Sequence, residues 1–448
     1  MAGGTWTTQN KKRPGIYIRF RSAGEPAANI GDRGTAAICE PLRWGPVGTV
    51  QTVEAGADPT PYTGYPAGSE NNRFLTEIFK GTDRTAAPKQ VLLCRPPATG
   101  SAAASAQLEE GALTVTARYP GTRGNDITVT LEAAGGEEPG SFLVSTLVDG
   151  AVVDTQEAAA PSGLTANAWV TFSGDGPLAA SGGLPLTGGL DGTVLAEAWS
   201  AFLTALEPYR FDILIYDGTD ANVQQAMAAF VKRLAEDSGK YAQLVTANMK
   251  SPNSQYVINV VSGVTLTDGT VLTPAQTAWW VGGAQAGALY NQSLTYAAYP
   301  GAAAVSPLLT DSQIGQGLED GQLLLSADDG DVVIEQDINS LTAFTPETGE
   351  VFRYNRTVRL CNTFANDIYK MFRRGFIGVV NNNDAGRRQF KGRIVGYLLE
   401  MQSAEAIENF SPDDVEVLPG ADINSVLVNV AFQVVGSIEK IYLTVSVS

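Results

Sequence analysis

The hydrophobic period of this chain changes twice, and that constrains its fold more than any other feature. Across 108–192 apolar residues recur at every second position, in the runs 113–117, 127–131, 142–148, 152–154 and 169–172. Such alternation is the mark of half-buried strands. Asp149-Gly150, between two of the runs, is a hairpin signal. Strands of this length and spacing predict a small barrel or sandwich. After Gly188-Gly189-Leu190-Asp191-Gly192 the period becomes helical, with Leu195, Trp199, Phe202, Leu203 and Leu206 on one face. A strand at 211–216, a helix at 221–238, strands at 241–246 and 256–261 and a helix opened by Thr273-Pro274 follow. That alternation predicts an α/β layer with a largely parallel sheet.

The flanks complete a multidomain plan. The 35–95 block mixes an apolar run at 35–39, a turn at Trp44-Gly45-Pro46, a helix at 74–79 and a buried strand at 91–94. It ends at Pro96-Pro97, and the Ala/Ser-rich 98–106 reads as a linker. Beyond 345 come helices at 355–376 and 387–401, then strands at 426–435 and 441–447. The expected division is an N-terminal arm (1–22), the first part of the α/β core (23–97), an inserted β-barrel or sandwich domain (98–192), the rest of the α/β core (193–344), an α+β C-terminal domain (345–435) and a C-terminal arm (436–448).

Chemistry is sharply limited because the chain has no histidine. Ser-His-Asp and Cys-His nucleophiles, imidazole metal ligation and histidine acid/base work are all excluded. The three cysteines, Cys39, Cys94 and Cys361, lack the close spacing of zinc or redox pairs and read as buried thiols in a reducing compartment. Asp217-Gly218-Thr219-Asp220 follows a predicted parallel strand, where open α/β sheets place ligands; equally, Asp220 is a helix N-cap. Gly282-Gly283 and Gly315-Gln316-Gly317 lack the remainder of any phosphate-loop or dinucleotide motif. Asp328, Asp329 and Asp331 lack the spacing of a calcium loop and read as a solvated hairpin. No cofactor or metal is expected. There is no apolar signal core and no run of 18 apolar residues, so neither secretion nor membrane insertion is expected.

Charge is segregated. The chain holds 30 Lys plus Arg against 47 Asp plus Glu, a net −17. Yet 353–393 carries Arg353, Arg356, Arg359, Lys370, Arg373, Arg374, Arg387, Arg388, Lys391 and Arg393 against only Asp367 and Asp384. This predicts a docking surface for an acidic partner, with a solvated helix face as the plainer reading. Direct nucleic-acid binding is disfavoured, since the remaining acidity repels phosphate and no nucleic-acid motif accompanies the patch. The two ends carry the other signal. Ile16, Ile18 and Phe20 share one face of a strand after Arg13-Pro14-Gly15, and Ile441, Leu443, Val445 and Val447 share one face of another. Strands so placed can pair within their own domain or add to another chain's sheet.

Four segments, Arg13-Pro14-Gly15-Ile16-Tyr17-Ile18, Ala117-Arg118-Tyr119-Pro120-Gly121-Thr122-Arg123-Gly124-Asn125-Asp126-Ile127, Gly188-Gly189-Leu190-Asp191-Gly192 and Ile338-Asn339-Ser340-Leu341-Thr342, occur in an order that resembles the contractile tail sheath proteins of myophages and R-type tailocins. The resemblance implies a structural, non-enzymatic subunit that stacks as hexameric rings in a helical polymer around a tail tube and contracts to drive it through a cell envelope. Its α/β core would be subtilisin-like in topology, without a triad, and terminal strands would be exchanged between subunits. The arm strands carry over to Ile16, Tyr17, Ile18, Arg19, Phe20 and to Ile441, Tyr442, Leu443, Thr444, Val445, with Gly15 and Gly436 as hinges. Lys370, Arg373, Arg374, Arg387, Arg388, Lys391 and Arg393 would form the tube-docking surface. Implied partners are further copies of itself, the tail tube protein and the baseplate and tail terminator proteins, in a virion or tailocin tail assembled in the host bacterial cytoplasm. The rival readings are a carboxylate-dependent hydrolase-like enzyme using Asp217 and Asp220, and an acidic-ligand receptor using the basic segment.

Overall fold

Strands buried on both faces must be apolar almost throughout, and the continuous apolar runs outside 108–192 form one such sheet. Its strands are β1 (Thr35–Cys39), β2 (Val50–Glu54), β3 (Gln90–Cys94), β4 (Ile213–Ile215), β5 (Gln243–Ala247), β6 (Val257–Val260) and β7 (Gln322–Leu323). They lie in the order β7-β6-β5-β4-β1-β3-β2, all parallel except β2, which runs antiparallel to β3. This is a computed structural model, describing residues 33–108, 112–134 and 140–447 and the backbone of two short parallel strands, Ala2–Gly4 and Gly15–Tyr17.

Side chains of the sheet alternate between two cores. Ala36, Ile38, Val91, Leu93, Ile213 and Ile215 meet helices α1 (Arg73–Ile78) and α4 (Pro274–Gly287). Ala37, Cys39, Leu92, Leu214 and Leu244 meet α2 (Ala196–Leu206) and α3 (Ala221–Ser238). The glycine pair Gly282-Gly283 is a packing device: a Cβ at Gly283 would lie 2.0 Å from the Ile78 carbonyl oxygen, and one at Gly282 would lie 2.4 Å from Ile215. Thr273 as N-cap and Gln276 at the third helical position form a capping box around Pro274 at the start of α4. Cys39 and Cys94 are register partners on β1 and β3, yet both thiols are free.

The alternating block folds as a sandwich. One sheet has Ala151–Ala158, Phe142–Val148, Ile127–Ala133 and Ser181–Pro185 in that order; the other has Val170–Ser173, Leu113–Ala117 and Ser105–Leu108. Their inward residues, among them Leu113, Val115, Ile127, Val129, Val144 and Val170, make a core that also takes in Trp44 from the preceding block. The predicted linker at 98–106 is in part a strand, and its Ala102 and Ser105 bridge to Leu190 and Thr187. Ala104 is fully buried there. Small side chains are needed for close approach, since a Cβ at Gly124 would sit 2.9 Å from that of Ala104.

Two quoted motifs pin the exit of the sandwich, and Arg123 of the first docks it on the preceding block. The Asn125 side-chain amide donates to the Gly189 carbonyl (3.0 Å) and its oxygen accepts from the Gly189 N–H (2.8 Å). Thr122 donates its N–H and hydroxyl to Asp191, at 2.7 and 2.8 Å. Arg123, buried, grips both Asp149 oxygens (2.8 and 2.7 Å) and Asp126 (2.9 Å), donates to the Gly64 carbonyl (2.9 Å) and lies over the Tyr65 ring. The guanidinium holds Asp149 below the ordinary carboxylate range.

At the carboxyl edge of the sheet, the β1–β4 register continues past Ile38 and Ile215 and brings Glu40 beside Asp217. Asp217 accepts from the Trp279 indole at 3.0 Å. Glu40 is 8% exposed and lines a cavity of about 170 Å³ with Arg43, Tyr65, Glu70, Arg73 and Trp279. Burial raises both carboxyls; Glu40 lies well above the ordinary range, with the Asp217 charge adding to the rise. Asp220 does not join them. It caps α3, accepting from the N–H groups of Asn222 (2.8 Å) and Val223 (3.2 Å). The two aspartates of the hydrolase reading are therefore committed elsewhere.

The C-terminal domain has helices α5 (Asn355–Gly375) and α6 (Asp384–Ser403), a hairpin of Val415–Pro419 with Val426–Val430, and a short pair, Ile407–Glu408 with Gln433–Val434. The single strand expected over 426–435 is broken at Ala431-Phe432, because its two halves pair with different partners. The strand expected over 441–447 is absent: the segment has no regular structure and pairs with no described strand.

Two outcomes follow from these contacts. Asn125→Ala leaves both polar groups of Gly189 without partners, so it should cost about 1–3 kcal/mol, read as a lower urea midpoint and faster proteolysis within 98–192. The second concerns pH. The unfolded chain releases carboxyl protons near pH 4, whereas the folded pair keeps one at higher pH, so its contribution to stability is lost as pH rises. Glu40→Gln keeps a donor toward Asp217 without titrating; its urea midpoint should vary less from about pH 5 to about pH 8 than that of the parent. Parallel profiles for the two proteins would refute the raised Glu40 carboxyl.

Candidate functional site

The functional geometry is a set of joints and surfaces around the C-terminal domain. At its root lies Asp337, 1% exposed, just before the Ile338-Asn339-Ser340 motif. One carboxylate oxygen accepts from Gln285 of α4 (2.6 Å) and Asn355 of α5 (2.9 Å). The other accepts from the Leu294 N–H (3.0 Å) and from Arg359 of α5 (3.3 Å), itself 1% exposed. Arg359 also donates to Gln285 and to the Gln292 carbonyl. Asn339 adds a bond to the Phe352 carbonyl (2.8 Å). Further along α5, Asn366 takes a bond from Arg210, whose guanidinium lies 4.3 Å from the centre of the Tyr369 ring. Buried polar contacts thus join the α/β core to α5 at several points along the helix.

This joint uses part of the basic segment. Arg359 is buried in it, Arg353 donates to the Leu318 carbonyl and Arg356 to the Glu405 carbonyl. Lys370 pairs with Asp367 (3.6 Å), and Arg387 pairs with Asp384 and bonds Asn382. Among the described residues, Arg373, Arg374, Arg388 and Arg393 are exposed and form no ion pair. Arg373 and Arg374 sit in the last turn of α5, where a helix C-terminus favours cations, while Arg387 and Arg388 lie near the start of α6. Phe372 and Phe376 pack on Phe390 at 5.2 and 4.7 Å and bring those helix ends together. The turn between them exposes Ile377 (57%) and Val379 (72%). The result is a basic, partly apolar tip; Lys391 and Arg393 stand further along α6.

The terminal segment is the third element. Ile441, Leu443, Val445 and Val447 are 83%, 82%, 71% and 92% exposed, with Tyr442 and Thr444 exposed as well. Gly436 has open space around it and no left-handed backbone, so this conformation does not depend on its being glycine. Of the N-terminal arm residues, Gly15, Ile16 and Tyr17 form a short strand, while Ile18, Arg19 and Phe20 lie outside the described residues.

Sequence reasoning missed Asp337, Arg359 as a buried group, and Glu40. Signals for two of them exist. Asn355, Arg359, Thr363 and Asp367 recur every four residues, a polar stripe on a buried helix face. Glu40 follows the β1 apolar run closely, much as Asp217 follows that of β4.

Known proteins resemble this chain in sequence and in fold. Residues 98–191 match the phage tail sheath protein beta-sandwich domain, 192–340 the phage tail sheath protein central domain and 347–448 the phage tail sheath C-terminal domain. The phage-like element PBSX protein XkdK of Bacillus subtilis (strain 168) is 33% identical over 477 residues, spanning 100% of both chains. A sheath tail protein from Desulfitobacterium hafniense superposes with a TM-score of 0.84 at 39% identity, covering 96% of this chain and 99% of that one. The fold, at 13% identity and a TM-score of 0.57, extends to the anti-feeding prophage helical sheath in its contracted state, over 97% of this chain and 99% of that one. With three domain matches along most of its length and a relative aligned end to end, the chain belongs to the phage tail sheath family, which is structural and not enzymatic.

Proposed function

We propose that this chain is the subunit of a contractile tail sheath, stacking as hexameric rings around a tail tube and shortening to drive that tube through a target cell envelope. The observation that carries the reading is the terminal segment, whose alternate apolar side chains at 441, 443, 445 and 447 are exposed beside an otherwise well-buried core. Alternation without a partner strand is what a chain destined for another subunit's sheet requires. Ile16, Tyr17, Ile18, Arg19 and Phe20 form the complementary arm, and Gly15 and Gly436 stand at the roots of the two arms. Around these tethers the subtilisin-like core and the C-terminal domain move as one body, in keeping with the polar joint at Asp337. The likeness in fold to a contracted sheath supports the same cycle here.

No nucleotide drives the change. New contacts between rigid subunits need favour the short state by only a few kcal/mol per subunit for a long array to switch completely. The basic tip docks on an acidic tail tube through Lys370, Arg373, Arg374, Arg387, Arg388, Lys391 and Arg393, the four exposed and unpaired arginines contributing most. Baseplate and tail terminator proteins cap the polymer, which forms in the host bacterial cytoplasm and resides in a virion or tailocin tail.

Removal of 441–448 should leave a folded subunit that no longer polymerises, as seen by electron microscopy; ribbed cylinders of normal length from that protein would sink the arm reading. Charge reversal at Arg373 and Arg374 should reduce co-assembly with tube protein at least tenfold at about 0.1 M salt, with a smaller difference at high salt. Equal tube loading by parent and variant would reject the docking surface.

A further inference from the structure

The C-terminal segment does not leave the body where its glycine stands. Val435 donates to the Ala406 carbonyl at 3.1 Å, and the chain then runs without regular structure. Ile438 is 88% exposed, whereas Glu439 beside it is half-buried and Lys440 is exposed again. An apolar side chain outside and a carboxylate inside reverse the order that burial alone would choose. Specific bonds must hold the acid, and the structure provides them. One Glu439 oxygen accepts from the Thr295 hydroxyl at 2.8 Å and the Ser437 hydroxyl at 3.1 Å; the other accepts from the Gln336 amide at 2.7 Å.

These partners are not loose surface groups. Thr295 accepts the Asp337 N–H at 3.0 Å through the same hydroxyl oxygen, and its carbonyl takes a bond from Arg84 at 3.2 Å. Gln336 is the residue before Asp337. Ser437, Ile438 and Glu439 also wall a cavity of about 450 Å³ that contains Arg84 and Arg356, two guanidiniums that favour a carboxylate there.

We propose that Glu439 is a latch that fastens the root of the C-terminal arm to the central joint, so that the free arm begins at Lys440 and not at Gly436. Its role in assembly rests on the strand-exchange reading above. The latch sets the arm's reach: opening it frees residues 437–439, which adds roughly 10 Å of extended chain. It is a positioning residue, since it determines where the exchanged strand starts without forming part of that strand.

Limited trypsin digestion of the purified full-length subunit reads the latch directly, because cleavage after the exposed Lys440 needs residues 437–439 to extend into the protease, and the latch holds them against the body. Glu439→Ala should raise the rate of cleavage after Lys440 about tenfold, the equivalent of one good hydrogen bond, while cleavage after Arg373 serves as the control that the fold is intact. Gln336→Ala should raise it less, and the double variant should cut no faster than Glu439→Ala, since both changes open one contact. Parental rates after Lys440 in both single variants would overturn the latch, as would fully additive effects. Polymerisation of the protein lacking 441–448 would instead remove the strand-exchange reading and leave the digestion result untouched, so the two failures are distinguishable.

Discussion

A guanidinium and a carboxylate, each 1% exposed, meet where the α/β core joins the C-terminal helices: Arg359 and Asp337. Taking two charges out of water is costly, and such a pair adds little net stability over a well-packed apolar contact. Its value is directional. Asp337 also accepts from Gln285, Asn355 and the Leu294 backbone, so the position of α5 on the core is defined by several bonds of fixed geometry. An apolar interface tolerates sliding; a saturated polar one does not, because any displacement leaves a buried charge without partners.

The same principle operates at the other end of the core. The sandwich is inserted between β3 and β4, and two chain crossings could leave it free to swing. Arg123 donates to the Gly64 carbonyl and covers the Tyr65 ring, and Trp44 enters the sandwich core, which removes that freedom, while Asn125 with Gly189 and Thr122 with Asp191 pin the exit of the sandwich. Arg123, one of the motif residues that mark the family in sequence, is thus a residue that fixes one domain on the next. A structural subunit that transmits force between neighbours needs this property more than it needs a pocket.

Much of this was legible in the sequence, and the failures have physical causes. The period change at 108 and 192 was readable because one-face and two-face burial impose different patterns, and the sandwich and the mixed parallel sheet follow from it. The 98–106 segment reads as a linker because Ala and Ser carry no periodic signal, although Ala104 is buried by the close approach of Gly124. Charge counting found the basic segment but could not tell which cations were spent internally, and Arg359 is the extreme case. Glu40 and Asp217 lie far apart in the chain, and only the β1–β4 register makes them neighbours.

The alternation at 441–447 was also read correctly as a pattern, yet no strand forms. A strand is a property of a pair, and the sequence of one chain specifies only one side of it. Within the subunit the joint at Asp337 is saturated with hydrogen bonds, so rearranging a single copy there would break buried bonds at a cost. In the proposed sheath the stored energy must therefore reside between copies. A tether that crosses from one copy to the next has to remain attached while the bodies it links change contacts, and backbone hydrogen bonding to a neighbour's sheet does this with no demand on the interior of either subunit. Where that tether is anchored then matters as much as what it binds. An anchor bonded to Gln336 and Thr295, beside Asp337, would pass tension into the polar joint and spare the short, half-buried strands at 426–434.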